Sequence, residues 1–274
     1  MIKVSEINIY PIKSLGRISQ TKISVEKKGL SNDRCFMLVD KNNQFITQRK
    51  YPSLALISVT QQNDGLLIHA PNKTDLVVPI NNFTKMQESI TIWKDVCSTL
   101  IADKTINQWF TDYLEFEVSL VAYDNLSPRA TDPLFSNEKD IVSFADAFPI
   151  LVISQASLYD LNSRLINPVT MQRFRPNIVV EGCNAFDEDQ WRNIKIGDVE
   201  FEAVKICSRC ILTTIDPKTG IKDQNGEPLK TLSQFRKNIS GVKNEKGVFF
   251  GMNLIPRSFG KINISDEIVV ALDL

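Results

Sequence analysis

Histidine is nearly absent from this sequence, with one residue, His69, in 274. It sits in the run LLIHAPN and reads as a strand-end surface residue, so the chemistry is not expected to run on imidazole. No stretch reaches the roughly 18 consecutive apolar residues of a membrane-spanning helix. The amino terminus, MIKVSEINIYPIKSLG, alternates like a strand and lacks the apolar core of a signal peptide. A cytoplasmic protein with no membrane attachment is the expectation. Net charge is missing as well: 32 basic and 32 acidic side chains cancel, so no global field favours nucleic acid and any anion site must be local. There is no G-x-G-x-x-G nucleotide turn. The five cysteines, Cys35, Cys97, Cys183, Cys207 and Cys210, are an odd number and too dispersed for a secreted disulfide framework or a local iron–sulfur motif. Reduced thiols follow.

What is present is a chain with 43% hydrophobic residues, long enough for two domains. Short runs rich in Val, Ile and Phe (KVSEINIY, TKISVE, CFMLVD, LALISVT, GLLIHA, DLVVPI, SITIW) are separated by Gly, Asn, Asp and Pro and predict an antiparallel β region up to about Trp93. In DKTINQWFTDYL, Asp103 is a plausible cap, and Ile106, Trp109, Phe110, Tyr113 and Leu114 recur with helical spacing. After FEVSLVAY, the segment Asp124 to Lys139 reads as a hinge loop between a domain at 1–123 and a second at 124–274. FPILVIS predicts a strand passing into a helix at Ser154; PNIVVEG, RNIKIGDVEFEAVKICS, GVFFGMNLI and KINISDEIVVAL are further strands, with a short helix at TLSQFRK. Many short strands with few helices point to small barrels.

The stretch VKICSRCILTTIDPKTG places Cys207 and Cys210 two residues apart. A closed zinc site needs four ligands, and the chain supplies this pair and one distant histidine. A redox dithiol wants its pair at the start of a helix after a strand, whereas ILTTI reads as strand-like. Two half-buried structural cysteines are the bland reading. Lys205 and Arg209 instead give Cys210 an electropositive setting that favours a metal-binding thiolate. Lys13, Ser14, Arg34, Arg173 and Arg175 lie at predicted strand ends, where charge-assisted contacts to a phosphate require that they converge.

YPIKSLG, LSNDRCFMLVD, FPILVISQASLYDLNSRL, FRPNIVVEGCNAFDEDQW, IGDVEF, CSRCILTTIDPKTG, EPLKTL and FGMNLI occur in an order that resembles MOSC-domain proteins with the N-terminal β-barrel extension. The resemblance covers nearly the whole chain. It is similar to the mitochondrial amidoxime reducing components and the bacterial N-hydroxylaminopurine reductases of that group. The resemblance implies a mainly β fold with a few helices, a MOSC β-barrel plus an N-terminal β-barrel-like domain. It also implies a molybdenum cofactor of the sulfite-oxidase type, with Cys210 as metal ligand and catalytic residue. Lys13, Ser14, Arg34, Asp146, Ser154, Arg175, Asn177, Ser208 and Arg209 would contact the cofactor, and Arg129 in SPRATDP is a further candidate. The implied activity is reduction of N-hydroxylated compounds. Some relatives continue into a ferredoxin domain or begin with a targeting and membrane segment; neither pattern occurs within this sequence. Electrons are therefore expected from a separate donor of ferredoxin or cytochrome b5 type with its reductase. Two other readings are a carrier of the cofactor without turnover, and a sulfur-transfer protein with a persulfide on Cys210.

Overall fold

The structure is a computed structural model that describes residues 1–63, 65–80, 83–239 and 246–271 and, for 84–88, the backbone only. The alternating first strand, Ile2–Ile9, finds its partners far away in sequence. It pairs with Ile178–Glu181 on one side and Glu267–Ala271 on the other. Around the ring, Ile178–Glu181, Ile150–Ser154, Phe249–Pro256, Val199–Ser208, Asn193–Ile196, Glu267–Ala271 and Ile2–Ile9 hydrogen-bond in that order and close a seven-stranded barrel. Closure removes every free edge, and the N-terminal strand supplies the partner that the later strands lack. The inward residues Val4, Ile7, Ile9, Val152, Val180, Phe201 and Leu254 make its core.

Residues Val25 and Leu30 also pack in the barrel core, and Lys22–Glu26 pairs with Gly260–Asn263, whereas Ile12 and Leu15 pack with the N-terminal half. The N-terminal unit proper has a four-stranded sheet, Phe36–Asp40, Val118–Tyr123, Asp95–Ile101 and Thr84–Ile92, and a meander of Ser58–Gln62, Gly65–His69 and Leu76–Pro79. Helix α1 (Lys104–Leu114) forms as its spacing predicts: the Asp103 carboxylate accepts from the Ile106 N–H at 2.9 Å, and Ile106, Trp109 and Phe110 are buried. They join Leu38, Leu66, Ile68 and Leu120 in a second core.

Two expectations change. The front of LALISVT is a 3-10 turn over Pro52–Leu56, because proline at its start fits a turn and cannot feed a ladder. The segment 124–139 is more than a hinge: Arg129–Ala130 pairs with Ile141–Val142, and Arg129 is buried. Ile150–Ser154 and Ile178–Glu181 run parallel, which requires a crossover; α2 (Gln155–Asn162) supplies it, capped by the Ser154 hydroxyl accepting from the Ser157 N–H at 3.0 Å. A third helix, α3 (Leu229–Phe235), matches the expected short helix.

Candidate functional site

Strand Val199–Ser208 delivers the cysteine pair. Its register against Phe249–Pro256 shifts between Ala203 and Lys205 and again between Ile206 and Ser208. Alternation puts Lys205 and Cys207 on one face, and the second shift lets Ser208 line the same cleft. The chain then turns into a short 3-10 helix, Ile211–Thr214, with Cys210 at its N-cap. The strand-like reading of ILTTI is thereby corrected. The Thr213 and Thr214 hydroxyls donate back to the carbonyls of Cys210 and Ile211 at 3.0 and 2.7 Å, closing a turn instead of a ladder.

That turn leaves Cys210 exposed, while Cys207 is half-buried against the cluster of Phe174 and Phe250. The Arg209 guanidinium donates to the Cys207 sulfur at 3.1 Å and to the Phe174 carbonyl at 2.6 Å. The arginine expected to serve Cys210 thus braces its neighbour.

The opposite wall comes from turns at the ends of strands. Ser14, Arg34 and Arg175 all have left-handed backbone, with φ of 70°, 48° and 56°. Non-glycine residues adopt this conformation at a cost, and three of them meet at one cleft. Both guanidiniums stack on the Tyr10 ring, Arg34 at 4.3 Å and Arg175 at 4.1 Å. Arg34 also donates to Asn177 Oδ1 at 2.8 Å and pairs with Asp33. Asn177 is buried, and its amide also accepts from Leu151 N–H and donates to the Asn8 carbonyl, so it positions Arg34. Lys13 donates to the Phe144 carbonyl at 2.7 Å and pairs with Asp146.

Six cations, Lys13, Arg34, Arg49, Arg175, Lys205 and Arg209, line the cleft, and among the described residues Asp146 is the one carboxylate in its wall. Desolvation alone would raise the Asp146 carboxyl, but the charges of Lys13, Arg49 and Arg34 and the Lys13 hydrogen bond outweigh it and hold it well below the ordinary carboxylate range. Desolvation pushes Lys13 down, and it pushes Arg175 down to about 10. Such an excess of positive charge in a shielded cleft is an anion site.

Family models match at both ends of the chain: the MOSC N-terminal beta barrel domain over residues 1–117 and the MOSC domain over 139–269. Mitochondrial amidoxime reducing component 2 of Rattus norvegicus is 37% identical over 98% of this chain and 83% of its own length. Mitochondrial amidoxime-reducing component 1 of Homo sapiens is 34% identical over 97% and 82%. Among solved structures, the YuaD protein of Bacillus subtilis aligns over 98% of this chain and 94% of its own, at 11% identity and a TM-score of 0.45. The chain belongs to the MOSC family.

The MOSC cleft gathers Lys13, Ser14, Arg34, Asp146, Arg175, Asn177, Ser208, Arg209 and Cys210. It does not gather Ser154, which is fully buried beneath α2 with its hydroxyl spent on the Ser157 cap. Arg129 lies behind the cleft: it pairs with Asp95 at 2.6 Å and donates to the carbonyls of Ser143, Ala145 and Asp146, which fixes the turn that presents Asp146. Arg49 was missed. It stacks on Trp93 at 4.3 Å and reaches the cleft from the N-terminal unit, and its only trace in the sequence is the basic pair in TQRKYP.

The donor set fits the cofactor implied by the MOSC family. Among the described residues no cluster of three or more His, Cys, Asp or Glu would hold a bare metal ion, so a metal bound by the lone Cys210 thiolate must bring its other ligands with it. The Arg209 Nε is buried at the cleft wall and has no partner among the described residues, a donor suited to an oxyanion. Among the described residues no helix is long and apolar enough to cross a membrane.

Proposed function

We propose that this chain is a molybdenum-cofactor-dependent reductase that converts N-hydroxylated compounds (amidoximes, hydroxylamines and N-hydroxylated bases) to amines or amidines and water. The observation that carries the reading is the convergence, among the described residues, of an exposed thiol and six cations on one cleft with a single acid in its wall. The relatives are amidoxime reducing components, and that activity supports the substrate class. Cys210 would ligate the metal, and Lys13, Ser14, Arg34, Arg175, Ser208 and Arg209 would hold the anionic pterin through charge-assisted hydrogen bonds. When bound, the cofactor supplies two-electron oxygen-atom transfer. The residues of the chain orient and neutralise. Asn177 fixes the Arg34 fork, Arg129 fixes the Asp146 turn, and Asp146, held ionised, offers an acceptor to an N–H group of the substrate.

Electrons would come from a separate donor protein, of ferredoxin or cytochrome b5 type with its reductase. Five free thiols suit a reducing compartment, and a cytoplasmic location is part of the proposal. The test compares two cysteines. Cys210→Ser should remove the molybdenum–sulfur signal of the protein ligand in X-ray absorption and lower benzamidoxime turnover with reduced viologen by more than about 100-fold, beyond the loss typical of a ligand's supporting contacts. Cys207→Ser should keep both. Metal without turnover from any donor would leave a carrier, and a Cys210 persulfide without metal would leave a sulfur-transfer protein. Loss of the signal in Cys207→Ser alone overturns the assignment.

A further inference from the structure

A second cavity, of about 410 Å3, lies beside the cysteine cleft and shares Arg175 and Leu212 with it. Its walls come from both units: Gln48 and Ala55–Ser58 from the N-terminal one, and the segments around Arg173 and Pro217 from the barrel. Four cations line it, Arg17, Arg173, Arg175 and Lys218, and among the described residues no carboxylate does.

Two of those cations arrive already neutralised. Arg17 donates to Glu6 at 2.7 Å, and Arg173 donates to Asp216 at 3.0 Å. The other Asp216 oxygen accepts the backbone N–H groups of Lys218 and Thr219, so that carboxylate is taken up by the turn and Arg173. Among the described residues, neither Arg175 nor Lys218 has a carboxylate within ion-pair distance. The surplus is two positive charges, the complement of a phosphomonoester dianion. Gln48, nearly buried, adds an amide to the wall, while Leu15, Ile57 and Ile215 give it an apolar floor.

Arg175 links the two cavities. The residue lines both, and of the five N–H donors of its guanidinium one bonds to the Leu15 carbonyl at 2.8 Å. We propose that the second cavity binds a phosphate-class oxyanion at Arg175 and Lys218, and that its occupancy is coupled to the cysteine cleft through the shared guanidinium. An oxyanion in the second cavity draws Arg175 away from an anion in the first. Coupling of this kind is reciprocal, so whatever factor phosphate imposes on cofactor affinity the cofactor imposes on phosphate affinity. The site stands whether or not the chain turns over N-hydroxylated compounds, because its test reads binding.

The experiment is calorimetric titration of the cofactor-loaded protein with inorganic phosphate, with adenosine monophosphate and with adenosine, at constant ionic strength set by chloride. Saturable phosphate binding is expected, and Lys218→Glu, a change at an exposed side chain, should weaken it about tenfold, as charge reversal at a charge-assisted contact does. Molybdenum content should stay unchanged in that variant. Tighter binding of the nucleotide than of phosphate identifies an ester with an apolar body as the ligand; equal binding identifies free phosphate. Saturating phosphate should also speed cofactor release, whereas Lys218→Glu should remove that acceleration. No phosphate binding, binding indifferent to Lys218→Glu, or release indifferent to phosphate would overturn the proposal. Loss of molybdenum from folded Lys218→Glu would overturn it as well, by assigning the cavity to the cofactor's own phosphate.

Discussion

Two acids of this protein, Asp146 and Glu188, are treated in opposite ways. The Asp146 side chain is open to the cleft, 60% exposed, and Lys13, Arg49 and Arg34 hold it ionised. Glu188 is completely buried; desolvation pushes its carboxyl up, one oxygen accepts from the Ser154 N–H and the Ser157 hydroxyl, and the other has no partner among the described residues. Beside it Asp189 pairs with Arg236 at 2.6 Å in a site where both side chains are 8% exposed. In the cleft, polar groups are positioned and left with capacity to spare. In the cluster under α2 they are buried and turned toward one another, with one oxygen each of Glu188 and Asp189 left without a partner among the described residues. Burial with internal partners marks structure, and an unbalanced, accessible set of charges marks a site.

The largest effect that can break this contrast is at Arg236. Its guanidinium also donates to the Phe249 carbonyl at 3.1 Å, so Arg236→Leu strands a buried carboxylate and frees a backbone acceptor. Loss of one partner of a buried pair should cost about 3–5 kcal/mol in denaturant unfolding. Molybdenum per folded molecule should not change; a variant of normal stability, or one folded but empty, would erase the distinction between the two regions. Arg175→Ala is the mirror experiment. Arg175 has no ion pair among the described residues, so its removal should leave the melting temperature within a few degrees while weakening cofactor retention about 10- to 100-fold, the range for supporting contacts of a metal site. Equilibrium dialysis of the loaded protein measures it, and unaltered retention counts against the cleft as the cofactor site.

Much of this contrast was legible in the sequence, and the failures have one cause. Periodicity is local, so α1 with its Asp103 cap and the strand-to-helix passage at Ser154 could be read directly. Pairing is not local. Nothing in KVSEINIY says that its partners lie at 178–181 and 267–271, so the place of the first strand in the barrel could not be read from it. The same limit governs the site. The family resemblance supplied Lys13, Arg34, Arg175 and Cys210, whereas Arg49 carried no pattern of its own and enters the cleft only because its turn folds over it. The resemblance gives Ser154 to the cofactor, yet a serine at the start of a helix serves equally well as a cap, the role its buried hydroxyl has here.

The smallest expected effect has the sharpest sign. The folded state raises the Glu188 carboxyl above its ordinary value of 4.5, so the folded protein holds that proton more tightly than the unfolded chain does. Its contribution to stability is therefore complete below that value and is lost as pH rises through and beyond it. For Asp146 the sign reverses: its carboxyl is depressed, so its contribution is present above the ordinary aspartate value of 3.8 and is lost as pH falls below it. The two windows barely overlap. Glu188→Gln keeps an oxygen for the Ser154 and Ser157 donors and cannot ionise, so it should match the parent at about pH 4 and exceed it by about 1 kcal/mol near pH 8, the order of the penalty for a buried group lacking a partner. Melting curves of the two proteins across that range decide the matter: a constant difference at every pH would mean that folding leaves the Glu188 carboxyl unshifted, and a Glu188 contribution that is lost as pH falls would mean that the cluster under α2 holds a charge as the cleft does.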